Sequence, residues 1–259
     1  MTDKNLYNFT SRKSNILMNI KYLQFIRTLL AAVLIVPVPF LIAGNKTHST
    51  HIAIKDYSTH KNSIYADELF EAMQLEKAGL SKDAFIKGWK GYNNLTAKHV
   101  NLKAGIITIV DFSKPSSQER LFVVDLDHQK ILFKSLVAHG KNSGTVYAKS
   151  FSNQPETYKS SLGFYKTLNT YDGDNGFSLR LEGLEKNIND NAYERAIVMH
   201  GADYVSKKLV RTRGYIGRSY GCPAIPHEVA PKIIKLIKGG SLLFLYHPNE
   251  KYQLESGLI

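Results

Sequence analysis

The sequence predicts a mainly β domain, a sandwich or irregular barrel, with a short helical hairpin before it and one helix after its single cysteine. Three observations carry this. Apolar residues alternate with a period of two from about residue 102 onward, as in half-buried strands. Short apolar runs are separated by loops rich in Gly, Ser, Asn and Asp, notably 140–146, 152–161 and 170–176, the spacing of a sandwich or barrel rather than a doubly wound α/β sheet. Only one stretch of the second half, about 229–238, has convincing helical spacing.

Taken in order, the first 44 residues hold Lys4, Arg12, Lys13, Lys21 and Arg27 against Asp3, then run apolar from Leu29 to Gly44. About 15 apolar residues interrupted by Pro37 and Pro39 suit an export signal and fall short of the roughly 20 that span a bilayer. Residues 1–44 therefore read as a signal peptide, with a retained membrane anchor and a buried helix as the other readings. The stretch from Met18 has a signal layout by itself, so Met18 is a candidate start. Residues 45–62, rich in His, Thr, Lys and Ser, read as a tether. Residues 64–78 and 81–93 place apolar side chains three and four apart with Gly79 and Ser81 between them, which predicts a helical hairpin over 63–95 docked by Trp89.

The main domain, 96–259, follows. Strands are expected at 104–112, 120–127 and 130–140, with Asp127-His128-Gln129 as a tight reversal, then around 162–168, 177–182, 193–199 and 241–246. Pro231 suits the first turn of the helix at 229–238, and Gly239-Gly240 its end.

The chain of 259 residues is 43% hydrophobic and 22% charged, enough to bury a core. Of the formal +12, residues 1–44 carry five bases against one acid, leaving 29 bases against 21 acids, +8, for residues 45–259. A basic field favours polyanions or simply keeps the surface solvated. Export, and the lack of any basic run with interleaved aromatics, argue against nucleic acid. With neither CxxC nor HExxH, no metal is expected, and no glycine-rich phosphate loop follows a strand, so no cofactor is expected either.

Cys222 lies in Arg218-Ser219-Tyr220-Gly221-Cys222-Pro223, with His200-Gly201 22 residues upstream at the end of an apolar run. An exported chain with one cysteine has no partner for an internal disulfide, so the thiol is used chemically, buried and inert, or bridged between molecules. Its surroundings favour use. Gly221 leaves the backbone open, Ser219 supplies a hydroxyl and Pro223 fixes the chain. A thiol attacks as the thiolate and needs a base, for which His200, at the mouth of Ala196-Ile197-Val198-Met199, is best placed. His139-Gly140 ends a second strand in the same way, as a structural hydrogen-bonder or a cleft residue. The backbone N–H groups of Tyr220, Gly221 and Cys222 are natural oxyanion donors, and Arg218 is either a carboxylate grip or a surface ion-pair former.

These residues resemble the murein L,D-transpeptidase catalytic domains of the YkuD-like group, in the branch with a GRSxGCPA signature. VAHGKNSG (137–144), FSN (151–153), SSLGFY (160–165), GFSLRLEGLE (176–185), NDNAYERAIVMHGADYV (188–204), GRSYGCPAIP (217–226) and KGGSLLFLY (238–246) carry the resemblance. It implies a mainly β fold and a Cys222 thiolate that attacks peptidoglycan stem peptides, forming a thioester on release of the terminal D-residue. An amine acceptor then gives a 3–3 cross-link, and water gives carboxypeptidase action. It further implies His200 as base, Gly201 and Ser219 as residues that orient it or line the site, and Gly221 with Cys222 as the oxyanion pocket. Arg218, Tyr220 and His139 are the substrate-binding candidates. Many members have a second histidine before Gly-Cys and an Asn or Arg soon after it, where this chain has Tyr220 and Pro223-Ala224. The same Cys–His pair also suits an L,D-carboxypeptidase or peptidoglycan amidase, and an inactive wall-binding module is the reading from another class. The localisation expected is the periplasm or cell envelope.

Overall fold

A computed structural model describes residues 63–259. The expected signal or anchor over 1–44, the start at Met18 and the tether over 45–62 fall outside the described residues. Among those described, no helix is long and apolar enough to cross a membrane.

Helix α1 covers residues 63–72. A short α2, Leu75–Ala78, follows, ended by Gly79 at φ 99, and then α3, Lys82–Ala97. The expected hairpin is thus present, with its first arm broken at Gln74, whose φ is 51, and its second arm longer than predicted. Helix α3 buries Ala84, Phe85, Gly88, Gly91 and Leu95 on one face. A Cβ on Gly91 would sit 2.0 Å from the Phe164 ring, so glycine there sets how closely the helix lies on the sheet.

Eight strands form one sheet: β1 Ile106–Asp111, β2 Leu121–Asp125, β3 Lys130–Ser135, β4 Gly163–Gly173, β5 Gly176–Gly183, β6 Val198–Gly201, β7 Ala224–Ile225 and β8 Leu242–Tyr246. Their spatial order is β3-β2-β1-β8-β4-β5-β6-β7. The pairs β1·β8 and β6·β7 are parallel and the others antiparallel. Strand β8, last in sequence, enters the middle of the sheet with all five residues buried, the continuous apolar run of a strand covered on both faces. Helix α5, Ala230–Ile237, leads into it and buries Ala230, Ile233, Ile234 and Ile237, the three-and-four spacing that puts one face on a core.

The chain beyond β3 brings the two sheet edges together. The Ala138 N–H donates to the Ala224 carbonyl at 2.8 Å, the Ser219 N–H to His139 at 3.0 Å and the Lys141 N–H to Ser219 at 2.8 Å. Residues 138–141 therefore lie against 219–224, and the sheet is a nearly closed barrel. Alternation continues through this closure. Val137 belongs to the main core, whereas Leu136 and Ala138 face a second cluster with Ala202, Val205, Ile216 and Ala224.

The mainly β reading holds, and the differences are local. The loop expected at 170–176 is the tip of a long hairpin in which β4 runs to Gly173 and β5 starts at Gly176. The strand expected at 193–199 begins only at Val198, because a 3-10 turn at Asp190–Ala192 and Ala196 at φ 52 fold the preceding residues. Two further helices occupy the second half: α4, Lys207–Arg213, and α6, Glu250–Glu255, capped by the Ser206 and Asn249 side chains.

Candidate active site

Strand β6 presents His200, and the turn 219–222 enters β7. The parallel register pairs His200 with Ala224 and Gly201 with Ile225. Continued two residues back, it sets Cys222 abreast of Val198, whose N–H reaches the thiol. Cys222 and His200 thus occupy neighbouring chains one diagonal step apart. Both line a cleft of about 580 Å³, together with Lys141, Tyr204, Arg213, Arg218, Ser219 and Tyr220.

His200 is buried, and its Nδ1–H donates to the Gly201 carbonyl at 2.9 Å. That bond selects the tautomer whose Nε2 is the basic nitrogen, and Nε2 has no protein partner among the described residues. Burial holds the imidazole below its usual value. The Gly201 carbonyl pulls it up and His227 adds to the lowering. The ring is therefore neutral at physiological pH, ready to accept a proton.

Cys222 is half-buried, and its thiol donates weakly to the Ala196 carbonyl at 3.8 Å. Burial pushes the thiol up from its usual value; the Val198 N–H, the Arg195 guanidinium and its own N–H work the other way. The two shifts together favour a resting thiol beside a neutral imidazole over a preformed ion pair.

The Ser219 hydroxyl donates to the Cys222 carbonyl at 2.7 Å and accepts the Gly221 N–H at 3.1 Å. It therefore holds the turn that carries the thiol. The same bond occupies the Gly221 N–H, so the expected oxyanion pair of Gly221 and Cys222 is not formed by free donors in this state. Gly221 has φ 129, and a Cβ there would meet Ile197 Cδ1 and the Lys159 carbonyl oxygen, both at 2.9 Å.

Arg218 is exposed, and its Nη1 donates to the Lys141 and Gly144 carbonyls at 3.0 and 3.2 Å. Among the described residues no carboxylate pairs with it. Tyr220 is exposed at the cleft, its ring 4.8 Å from that of Tyr158. Lys141 Nζ lies over both rings, 4.2 Å from Tyr158 and 4.5 Å from Tyr220. Among the described residues, the cleft wall has Lys141, Arg213 and Arg218 and no carboxylate.

His139 corrects the expectation that it binds substrate. It has no exposed surface, and both ring nitrogens are engaged: Nδ1 accepts from Arg120 Nη2 at 2.8 Å, and Nε2–H donates to the Gly144 carbonyl at 3.1 Å. Burial first, then Arg120, holds it down to about 3, against the Gly144 carbonyl. It supports the closure from inside the barrel. Arg195, Lys141 and Tyr158 were not singled out in the sequence. Each is an ordinary residue locally and gains its place only through the fold. Among the described residues, no group of three or more His, Cys, Asp or Glu could hold a metal ion.

The model of the L,D-transpeptidase catalytic domain matches residues 76–246, two thirds of the chain. The chain belongs to this family. No curated protein matches it by sequence. Among solved structures, an L,D-transpeptidase from Mycobacterium smegmatis is 13% identical with TM-score 0.36, covering 57% of this chain and 61% of its own. An L,D-transpeptidase from Stackebrandtia nassauensis is 13% identical with TM-score 0.33, covering 73% and 79%. The helical cell shape determining protein Pgp2 from Campylobacter jejuni is 14% identical with TM-score 0.38, covering 63% and 55%. The match spans about 60% of the length of the first of these structures. For an L,D-transpeptidase domain, the matched region contains every residue named for the cleft, from Lys141 to Cys222.

Proposed function

We propose that the chain is an exported cysteine acyltransferase acting on peptidoglycan stem peptides, with Cys222 as nucleophile and His200 as base. The observation that carries the reading is His200 Nδ1 fixed on the Gly201 carbonyl, with the other ring nitrogen unpartnered and Cys222 in the same cleft. His200 Nε2 takes the thiol proton as Sγ attacks the carbonyl carbon after the L-centre. The Tyr220 and Cys222 N–H groups are the donors left for the oxyanion. The tetrahedral species collapses to a thioester, and the leaving D-amino acid nitrogen takes the proton from His200. An amine of a second stem then loses its proton to His200, attacks the thioester and forms a 3–3 cross-link, and the proton returns to Sγ. Three cations and no acid among the described residues of the cleft wall suit peptides rich in carboxylates.

The test is to incubate the full chain with defined tetrapeptide stems and read products and intact protein mass together. A transient adduct on Cys222, loss of the terminal D-residue and a dimer would establish the transpeptidase. Loss without dimers would make it a carboxypeptidase, and cleavage at another bond an amidase. A folded protein inert to stems and to a carbapenem would be a binding module. Cys222→Ala should abolish turnover, and His200→Ala should lower kcat on the order of 10²-fold or more, with melting temperatures retained.

A further inference from the structure

Arg195 lies behind the cysteine rather than on the cleft wall. It follows the 3-10 turn and precedes β6, and its guanidinium makes three hydrogen bonds to one segment: Nη1 to the Ser152 carbonyl at 2.9 Å and Ser161 Oγ at 2.7 Å, Nη2 to the Lys159 carbonyl at 2.7 Å. That Lys159 carbonyl also abuts Gly221, and Arg195 Nη2 lies 3.5 Å from where a Gly221 Cβ would be. The next residue, Ala196, turns at φ 52 and offers its carbonyl to the Cys222 thiol. A cation is thus fixed beside the backbone that carries Sγ.

This guanidinium is half-buried and pairs with no carboxylate among the described residues. An unpaired buried cation is costly, so its position asks for an anion. The two ionisable groups that act on it are Tyr165 and Cys222. Tyr165 is fully buried and held far above its usual value, so it stays neutral. The Cys222 thiolate remains.

Resting on the proposed nucleophilic role of Cys222, we propose that Arg195 is a positioning residue whose guanidinium stabilises the Cys222 thiolate from behind Gly221 and, through its three bonds, locks residues 152–161 against the cysteine turn. The other titratable groups around the thiol are His200 and Tyr204 beyond β6, and Lys141, Arg213, Tyr215, Arg218 and Tyr220 on the cleft wall. Arg213 and Arg218 are exposed, whereas Arg195 is half-buried and tied by three acceptors, and so acts as a fixed charge. In the acyl-enzyme that charge has no thiolate to face, which favours return of the sulfur as leaving group when the amine attacks.

Cys222 is the only cysteine, so alkylation of the full chain by iodoacetamide, read by intact mass, reports it alone. The pH dependence is compared in wild type, Arg195→Gln, Arg195→Lys and Ser161→Ala, each with a melt. In R195Q the alkylation midpoint should rise by about half a unit or more, roughly threefold slower reaction below both midpoints. R195K should restore it, and S161A, which keeps the cation and loses one bond, should lower the melting temperature without moving the midpoint. An R195Q profile that overlays the wild type overturns the proposal. Should R195Q fail to fold, the Arg195 side-chain nitrogen resonances in the wild type must shift as pH passes the thiol midpoint and not in Cys222→Ala; a shift in neither overturns it equally. A wild type that alkylates but never turns over a stem peptide would sink the functional reading and leave this one standing.

Discussion

The structural role of His139 predicts an acid-sensitive fold and sets the size of the effect. Its imidazole is inside the barrel, held neutral between Arg120 and the Gly144 carbonyl, with a folded-state value of about 3 against the ordinary 6.5. A histidine depressed in this way leaves the unfolded chain binding the extra proton, so its contribution is present above pH 6.5 and is lost as the pH falls toward 3. Between pH 6.5, where the unfolded histidine is already half protonated, and pH 4.5 the loss is about 2.3 kcal/mol. For a described domain of this size, that is a melting temperature lower by roughly 5–9 °C. His139→Gln supplies an acceptor for Arg120 and a donor for Gly144 without titrating. Thermal melts of both proteins at the two pH values isolate the effect, since other titrating groups are common to both. The wild type should fall by that amount more than the variant. Equal falls would refute the buried, neutral His139.

Gly221→Ala should cost about 1–3 kcal/mol, because alanine at φ 129 is strained and its Cβ meets Ile197 and Lys159; an unchanged melt would remove the close-packing argument. The lowered His200 places the acid limb of kcat/KM below pH 6.5, and a limb above that value would contradict a buried, neutral base. Arg218→Ala keeps the cysteine turn but removes a cleft cation, so kcat/KM on a carboxylate-bearing peptide should fall about tenfold or more. Wild-type kinetics in that variant would exclude Arg218 from binding substrate.

Strands β1, β2, β3 and β8 were legible because packing on one or both faces writes a period of two or an unbroken apolar run into the sequence. Helix α5 was legible for the matching reason, with buried residues at three-and-four spacing. Helix α4 has no fully buried residue and only Val210 packs on the second cluster, so no periodicity marks it, and its signals are the Ser206 cap and Gly214 at φ 78. Strand β7 is two residues long and exists because β6 and the closure segment flank it. No local pattern records such a strand. The tip of the β4–β5 hairpin reads as a loop in the sequence because its Asp-Gly-Asp-Asn-Gly composition is that of a turn, which the structure confines to Asp174 and Asn175.

The candidate site shows the same limit more sharply, since His139-Gly140 and His200-Gly201 are locally alike and end up in different surroundings. Both follow apolar strands, and both are buried. Their partners separate them. His139 meets Arg120, nineteen residues away in sequence, and Gly144, so its two nitrogens are both committed and the ring is structural. His200 commits only Nδ1, to a carbonyl one residue away, and its strand lies beside the chain that brings Cys222. Barrel closure decides both outcomes, because the bonds that join 138–141 to 219–224 draw His139 inward and set the cysteine turn next to β6. A buried imidazole satisfied at both nitrogens has no capacity left for a proton in transit, whereas one satisfied at a single nitrogen is oriented and still basic. The histidine with one nitrogen unpartnered is therefore the one that can serve the thiol, and the pairing that distinguishes it is a property of the closed sheet.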